Sequence, residues 1–274
     1  MRGWRYLLLA ASLTYMGLRP LPADADTLSR AQMMDLFSEA KKSFRRATDV
    51  AATNPEQAKD LYRKAALRLE RIAQEGKIQN GKLYYNIGNA YFRIGDIGRA
   101  ILHYRRAQQL IPNDVNLQQN LNYARSKRID QIEEQQQKKI LKTLLFWHYD
   151  FSAKTRLLVF TICVTVFCLV ASLRLFWKKS GFLWFMGISV VLALLLLGSL
   201  VFQAQSQSGN TDGVILADEV IARKGNSETY QPSFETPLHA GTEFELIEKR
   251  EDWYQINLPD GRKCWLPQYS VGLI

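Results

Sequence analysis

The sequence predicts a multidomain chain: an all-α half, a two-helix transmembrane hairpin and a small all-β barrel. Three observations carry this. Two unbroken apolar runs, LLVFTICVTVFCLVASLRLFW (157–177) and FLWFMGISVVLALLLLGSLVF (182–202), each hold the roughly 20 residues that ~30 Å of hydrocarbon requires. Ahead of them, from Thr27 to Lys142, apolar residues recur with the period of a helix. Behind them, from Val214 onward, short runs alternate with period 2 and are punctuated by turn residues.

The apolar runs fix the topology. Only Lys178, Lys179, Ser180 and Gly181 join them, so the two spans form a hairpin and place the N-terminal and C-terminal flanking parts on one side of the membrane. The start of the chain has the pattern of a secretory signal over 1–25. Arg2 and Arg5 precede the apolar stretch Tyr6 to Leu18, and Ala23-Asp24-Ala25 supplies the small residues of a cleavage site. Such a signal exports both flanking parts and leaves Arg174, Lys178 and Lys179 at the cytoplasmic face. Lys154 and Arg156 lie on the exported side against that bias. Phe146, Trp147, Tyr149 and Phe151 fit an aromatic belt at the interface. The expected division is signal 1–25, helical domain 26–125, juxtamembrane helix or linker 126–156, spans 157–177 and 182–202, linker 203–213 and β domain 214–274.

Charge is unevenly spread. Residues 26–156 carry 24 Lys and Arg against 14 Asp and Glu, and residues 212–274 carry 6 against 11. A basic half raises nucleic acid as a partner, but an exported location and the lack of a nucleic-acid motif exclude it. Anionic lipid head groups or acidic partners fit better. Cys163 and Cys168 lie in the first span as small apolar fillers and Cys264 is alone in the β domain, so no disulfide framework is implied.

Within the helical half, the stretch Gly81 to Asn113 has the densest pattern. Its large and small residues fall at Tyr84, Ile87, Gly88, Tyr91, Ala100, Tyr104 and Ala107, with Pro112 closing and Gly95-Asp96 dividing two helices. The pattern resembles the tetratricopeptide repeat at all eight positions, allowing Ile for Leu and Tyr for Phe. A degenerate repeat precedes it, with Phe37, Ala40 and Phe44 in one helix and Ala58, Tyr62 and Ala65 in the next. Thr53 or Asn54 caps that second helix and Pro55 sits at its first turn. Phe44 to Ala58 spans 14 residues where Tyr91 to Ala100 spans 9, which predicts an overlong turn. Downstream, Asp114 caps a further helix whose Leu121 and Ala124 lie one repeat after Ile87 and Ala90. Beyond them the sequence turns polar, as a solvating cap does.

The resemblance implies binding of peptide segments in a concave groove lined by the first helix of each repeat. The groove positions are Lys82, Tyr85, Asn86, Asn89, Phe92 and Asn120. Asn120 lies 34 residues after Asn86, so the two amides are expected to stack, and an amide both donates to and accepts from an extended backbone.

The C-terminal part reads as strands at Val214–Ile221, Glu243–Ile247, Trp253–Leu258 and Cys264–Leu266. Pro259-Asp260-Gly261-Arg262 makes a tight turn, with Gly261 supplying positive φ. Regularly spaced short strands predict a small barrel. The residues resemble a bacterial SH3-type domain, through Val220-Ile221-Ala222-Arg223, Gly241-Thr242, Trp253-Tyr254, Asp260-Gly261 and Trp265, with Cys264 where that family has Gly. The resemblance implies binding of cell-wall peptides or protein segments, or simple packing. Trp253 and Trp265 are assigned to the core, and Glu243, Glu245 and Glu248 to a solvated strand face.

The order of parts resembles the BatE family of bacterial aerotolerance-operon proteins, most specifically over Gly81 to Asn113 and Phe146 to Trp177. That resemblance implies a non-enzymatic inner-membrane scaffold with both soluble parts in the periplasm. It also implies membrane partners with von Willebrand factor A-type domains and, indirectly, a MoxR-type ATPase. Peptidoglycan is the alternative partner. No catalytic residue, cofactor or metal site is expected. His103, His148 and His239 fall in unrelated segments, without metal-ligand spacing, and no nucleophile elbow or phosphate loop occurs.

Overall fold

In the computed structural model, residues 27–133, 135–136, 140, 143–149, 151–177, 180–207 and 212–274 are described. The expected signal 1–25, Lys178, Lys179 and part of the expected linker 203–213 lie outside them. Five helices come first: α1 Arg30–Val50, α2 Pro55–Glu75, α3 Gly81–Ile94, α4 Ile97–Leu110 and α5 Val115–Ser126. Each begins where a short polar side chain can take an orphan N–H of the first turn. Ser29, Asn54, Asn80, Asp96 and Asp114 accept from the backbone N–H of Gln32, Gln57, Leu83, Arg99 and Leu117 in turn. Gly95, at φ 93°, ends α3 in the left-handed conformation that glycine tolerates best.

The overlong turn is not found. The surplus residues are helix: α1 runs on to Val50 and the connection is only residues 51–54. The two helix pairs nevertheless share one design. Phe44 meets Tyr62 at 5.0 Å between ring centroids, as Tyr85 meets Tyr104 at 6.0 Å. The Thr48 hydroxyl lies 3.1 Å from the Tyr62 hydroxyl, as Tyr104 OH lies 2.8 Å from Asn89 Oδ1. Gly88 is needed where it stands, because a Cβ there would sit 2.5 Å from the Tyr104 ring. Ile87, Ala90, Ala100, Tyr104, Leu117 and Leu121 form the core between the helices.

After the short helix α6 (Phe146–Tyr149) come two long apolar helices, α7 Ala153–Phe176 and α8 Gly181–Gln207. Their candidate spans, Ala153–Phe176 and Gly181–Phe202, have mean hydropathies of 2.3 and 2.6. Only 6% and 17% of those windows are buried within the chain, unlike the helices of a soluble core. Helix α7 starts earlier than the sequence suggests because Ser152 caps it. As a result Arg156 is not a charge beside the membrane. Its side chain, 2% exposed, turns into the hairpin and donates to the Ser199 hydroxyl of α8 at 2.5 Å.

The C-terminal part holds seven strands: β1 Asp212–Ile215, β2 Glu219–Val220, β3 Leu238–His239, β4 Glu243–Arg250, β5 Trp253–Asn257, β6 Lys263–Pro267 and β7 Val271–Leu273. The predicted strand Val214–Ile221 breaks in two between Ile215 and Glu219, and β3 and β7 carry no sequence signal of their own. Five strands pair antiparallel in the order β6-β5-β4-β1-β7, and β2 pairs with β3 apart from them. Among the described residues β6 and β7 do not pair, so the sheet is open and no closed barrel forms. The turn at Asp260 is as expected: Gly261 has φ 91° and Leu258 N–H donates to Arg262 O. Cys264 and Trp265 are buried, whereas Trp253 is half-buried.

The helical unit and the sheet are packed together. Val214 of β1 belongs to the helical core, and Leu216 and Ile274 pack against it. The space around Gly98 of α4 is filled by the Ile215 carbonyl and Leu216 Cα, which a Cβ there would meet at 2.8 and 3.2 Å. Residues 128–133 and Gln135, expected as part of a linker, strap across the sheet instead. Ile132 packs against the sheet core, and Gln135 donates to the carbonyls of Pro259 and Asp260.

Candidate peptide-binding face and its junction with the sheet

Helices α3 and α5 place the predicted groove residues on one face, and hydrogen bonds fix most of them. Asn89 Oδ1 accepts from Tyr104 OH at 2.8 Å and from Asn120 Nδ2 at 3.0 Å. Asn120 Nδ2 also donates to Tyr85 OH at 2.9 Å. Asn120 therefore meets Asn89 and Tyr85, not Asn86 as the spacing suggests. One lone-pair side and one N–H side are thus consumed inward. The Asn89 NH₂ and the Asn120 carbonyl are left without a partner among the described residues, and neither is buried. Turning both amides over together would exchange the roles and still leave one donor beside one acceptor. Such a pair matches the C=O and N–H of a peptide unit.

Lys82 is ion-paired with Asp114 and lies 5.7 Å over the Tyr85 ring. Phe92 meets Tyr123 at 5.5 Å, and Lys127 lies 5.0 Å over Tyr123. Asn86 is half-buried with no side-chain hydrogen bond among the described residues. Sequence reasoning missed Tyr123 and Lys127, although they lie one repeat of 34 after Asn89 and Arg93. It also missed Lys41 and Arg45 of α1. The Phe44–Tyr62 and Thr48–Tyr62 contacts make these the counterparts of Lys82 and Asn86. The face is consequently basic: Lys41 and Arg45 are exposed, with no ion pair among the described residues.

Behind this face lies a buried polar group. His103 Nε2 is 2.9 Å from Glu70 Oε1, Tyr91 OH donates to Glu70 Oε2 at 2.9 Å, and the His103 ring stacks on Tyr91 at 5.7 Å. Burial holds the His103 imidazole below its ordinary pKa, so it is neutral. Burial alone would raise Glu70, but its hydrogen bonds to His103 and Tyr91 hold it below the usual carboxylate range.

The junction with the sheet centres on Glu243. The alternation of the strand assigns it to a solvated face. Its side chain is only 16% exposed, because α4, α5 and the strap each bring an arginine to it. Arg125 binds both its oxygens at 2.8 Å, Arg105 Nε lies at 3.0 Å and Arg128 at 3.4 Å. Burial pushes the carboxyl up, and the three guanidinium groups, led by Arg125, outweigh that and hold it below 4.5. Arg105 also pairs with Asp212 at 2.6 Å, and Arg106 donates to Leu273 O. Asp130 of the strap accepts from His239 N–H and from the Thr242 hydroxyl, both at 2.7 Å.

An open cleft of about 850 Å³ is lined by Trp253, Pro267 and Tyr269 together with Glu228, Glu251 and Asp252. Asp260 and Gly261 lie outside it, and Trp265 is core. Among the described residues no three His, Cys, Asp or Glu side chains gather as metal ligands.

Residues 81–114 match the family model of the tetratricopeptide repeat. No curated protein matches the chain. The matched stretch is α3, α4 and their flanking turns, the pair that carries Asn89, and it supports a role in protein–protein interaction.

Proposed function

We propose that the chain is a non-enzymatic membrane scaffold whose helical repeats hold an extended, acidic segment of a protein partner. The observation that carries this reading is the outward donor and acceptor of Asn89 and Asn120, set among Lys41, Arg45 and Lys127. The amides suit the main chain, and the cations suit acidic side chains. The apolar hairpin supports a membrane anchor. The resemblance to the BatE family supports the bacterial inner membrane, a periplasmic position for both soluble units, and von Willebrand factor A-type partners in a stress-related complex.

A fluorescent acidic peptide of alternating Asp and Ala, titrated onto the full chain in detergent, tests the groove. N-methylation of its main-chain nitrogens leaves the side chains intact and removes the donors. Loss of one charge-free hydrogen bond with its acceptor left unpaired is worth about 1–2 kcal/mol, roughly tenfold in affinity. Asn120→Ala should weaken the unmethylated peptide by that factor. Absence of binding by the unmethylated peptide removes the reading.

A second reading, binding of cell-wall peptides by an SH3-like sheet, is favoured by the cleft that pairs Trp253 and Tyr269 with three carboxylates. These suit the amino groups of a cationic ligand. Sedimentation of the full chain with purified sacculi, lost in Trp253→Ala, tests it. The isolated sheet is the wrong reagent, because Val214 is part of the helical core and Ile132 packs on the sheet core from outside it.

A further inference from the structure

We infer that the Glu243 junction is a tether that holds the concave face against the bilayer, so that its partner presents the bound segment next to its own membrane anchor. The inference rests on the proposed reading of the hairpin as membrane-spanning and of the concave face as a peptide groove; it adds where that peptide must be. The second span ends at Phe202 and α8 continues to Gln207, which lifts the chain about 7 Å at 1.5 Å per residue. From Gln207 to Asp212 fully extended backbone reaches at most ~17 Å. Asp212 is then held by Arg105 of α4 at 2.6 Å. Asp212 is thus pinned within about 25 Å of the hydrocarbon edge. Helix α4 lies about 10 Å beyond it and the layer of α3 and α5 one helix spacing of about 10 Å further, so the concave face lies within ~45 Å.

Without the junction the limit would be far looser. Helix α5 would then hang from α7 by residues 127–152 alone, whose extended contour is about 90 Å. The strap adds a second restraint, since Gln135 is bonded to the Pro259 and Asp260 carbonyls of the sheet. Both ends of the hairpin are therefore tied to one docked body. A groove held this low meets juxtamembrane segments of other integral proteins at high effective concentration and meets freely diffusing proteins only at their bulk concentration.

The test uses the full chain in nanodiscs, with Cys163 and Cys168 changed to Ala and a donor dye on Gln119→Cys of α5. Energy transfer to a head-group acceptor gives the height. The intact chain is expected at or below ~45 Å. Glu243→Arg, and separately a long Gly-Ser insertion between Gln207 and Asp212 that leaves the junction whole, should both raise it. A greater height in the intact chain, or no change in either variant, overturns the tether. The same acidic peptide is then offered free and displayed immediately outside the membrane helix of a single-span reporter. At least about tenfold tighter capture of the displayed form is expected. Equal capture overturns the partner assignment while leaving the groove intact. Capture of neither removes the groove reading itself.

Discussion

Replacing Glu243 by Gln should loosen the docking of the sheet on the helices without unfolding either. Glutamine keeps the shape of the side chain but removes the charge that two bonds from Arg125, and the nearby Arg105 and Arg128, converge upon. Breaking a buried ion pair from one side strands the other charges. At a site 16% exposed the lower end of the range is appropriate, about 3 kcal/mol. If opening of the junction controls amide exchange in β1, that figure corresponds to roughly a hundredfold faster exchange across Asp212–Ile215. The amides of α1 and α2, which bring no side chain to Glu243, should keep their rates. The effect has a definite pH sign. The folded carboxyl titrates below 4.5, so its contribution is complete above that value and is lost as pH falls through the folded pKa. The variant and the parent should therefore converge in acid. Hydrogen exchange read by mass spectrometry is the assay. Equal β1 rates in the two proteins at neutral pH would refute the argument that this carboxylate holds the junction.

Single contacts elsewhere set further outcomes. Gly88→Ala puts a methyl 2.5 Å from the Tyr104 ring and should cost about 1–3 kcal/mol in thermal or urea unfolding of the helical unit. His103 is held neutral by burial, so the stability of that unit should fall as pH drops from 6.5 through its lowered folded pKa; His103→Gln should flatten that step in a melting-temperature profile. Gly261→Ala forces a side chain into φ 91° and should cost about 1–2 kcal/mol, read as a lower melting temperature. Cys264 is buried and its thiol is pushed up to about 12, so it should stay unlabelled by maleimide at neutral pH while the sheet is folded.

Local features of the chain are legible in its sequence, and long-range ones are not. Caps, turns and close approaches are local, so Asn54-Pro55, Asp114, Gly95 and Gly261 announce themselves within a few residues. The two long apolar helices are legible because length and apolarity suffice. The junction is not local. Period-2 alternation says that Glu243 leaves the strand on one face, but not that α4, α5 and the strap will cover that face with arginines more than a hundred residues away. Spacing alone makes Asn89 a free binding residue. Its carbonyl is committed because Tyr104 and Asn120 reach it from two other helices. Position alone makes Arg156 an exported charge, and only the packing of α8 against α7 gives it Ser199 as a partner. Strand count suggests a closed barrel, while closure depends on pairing between β6 and β7 that the strand lengths do not reveal.

On the proposed reading, the helical unit and the sheet share one side of a bilayer that the hairpin enters and leaves. Single cysteines at Gln119 of α5 and at Tyr269, which is 82% exposed beside β7, report the two units separately. In sealed membrane vesicles of one orientation, carrying Cys163→Ala and Cys168→Ala, a membrane-impermeant maleimide should label both sites or neither. Labelling of one in sealed vesicles, with the other reached only after the membrane is opened, contradicts it.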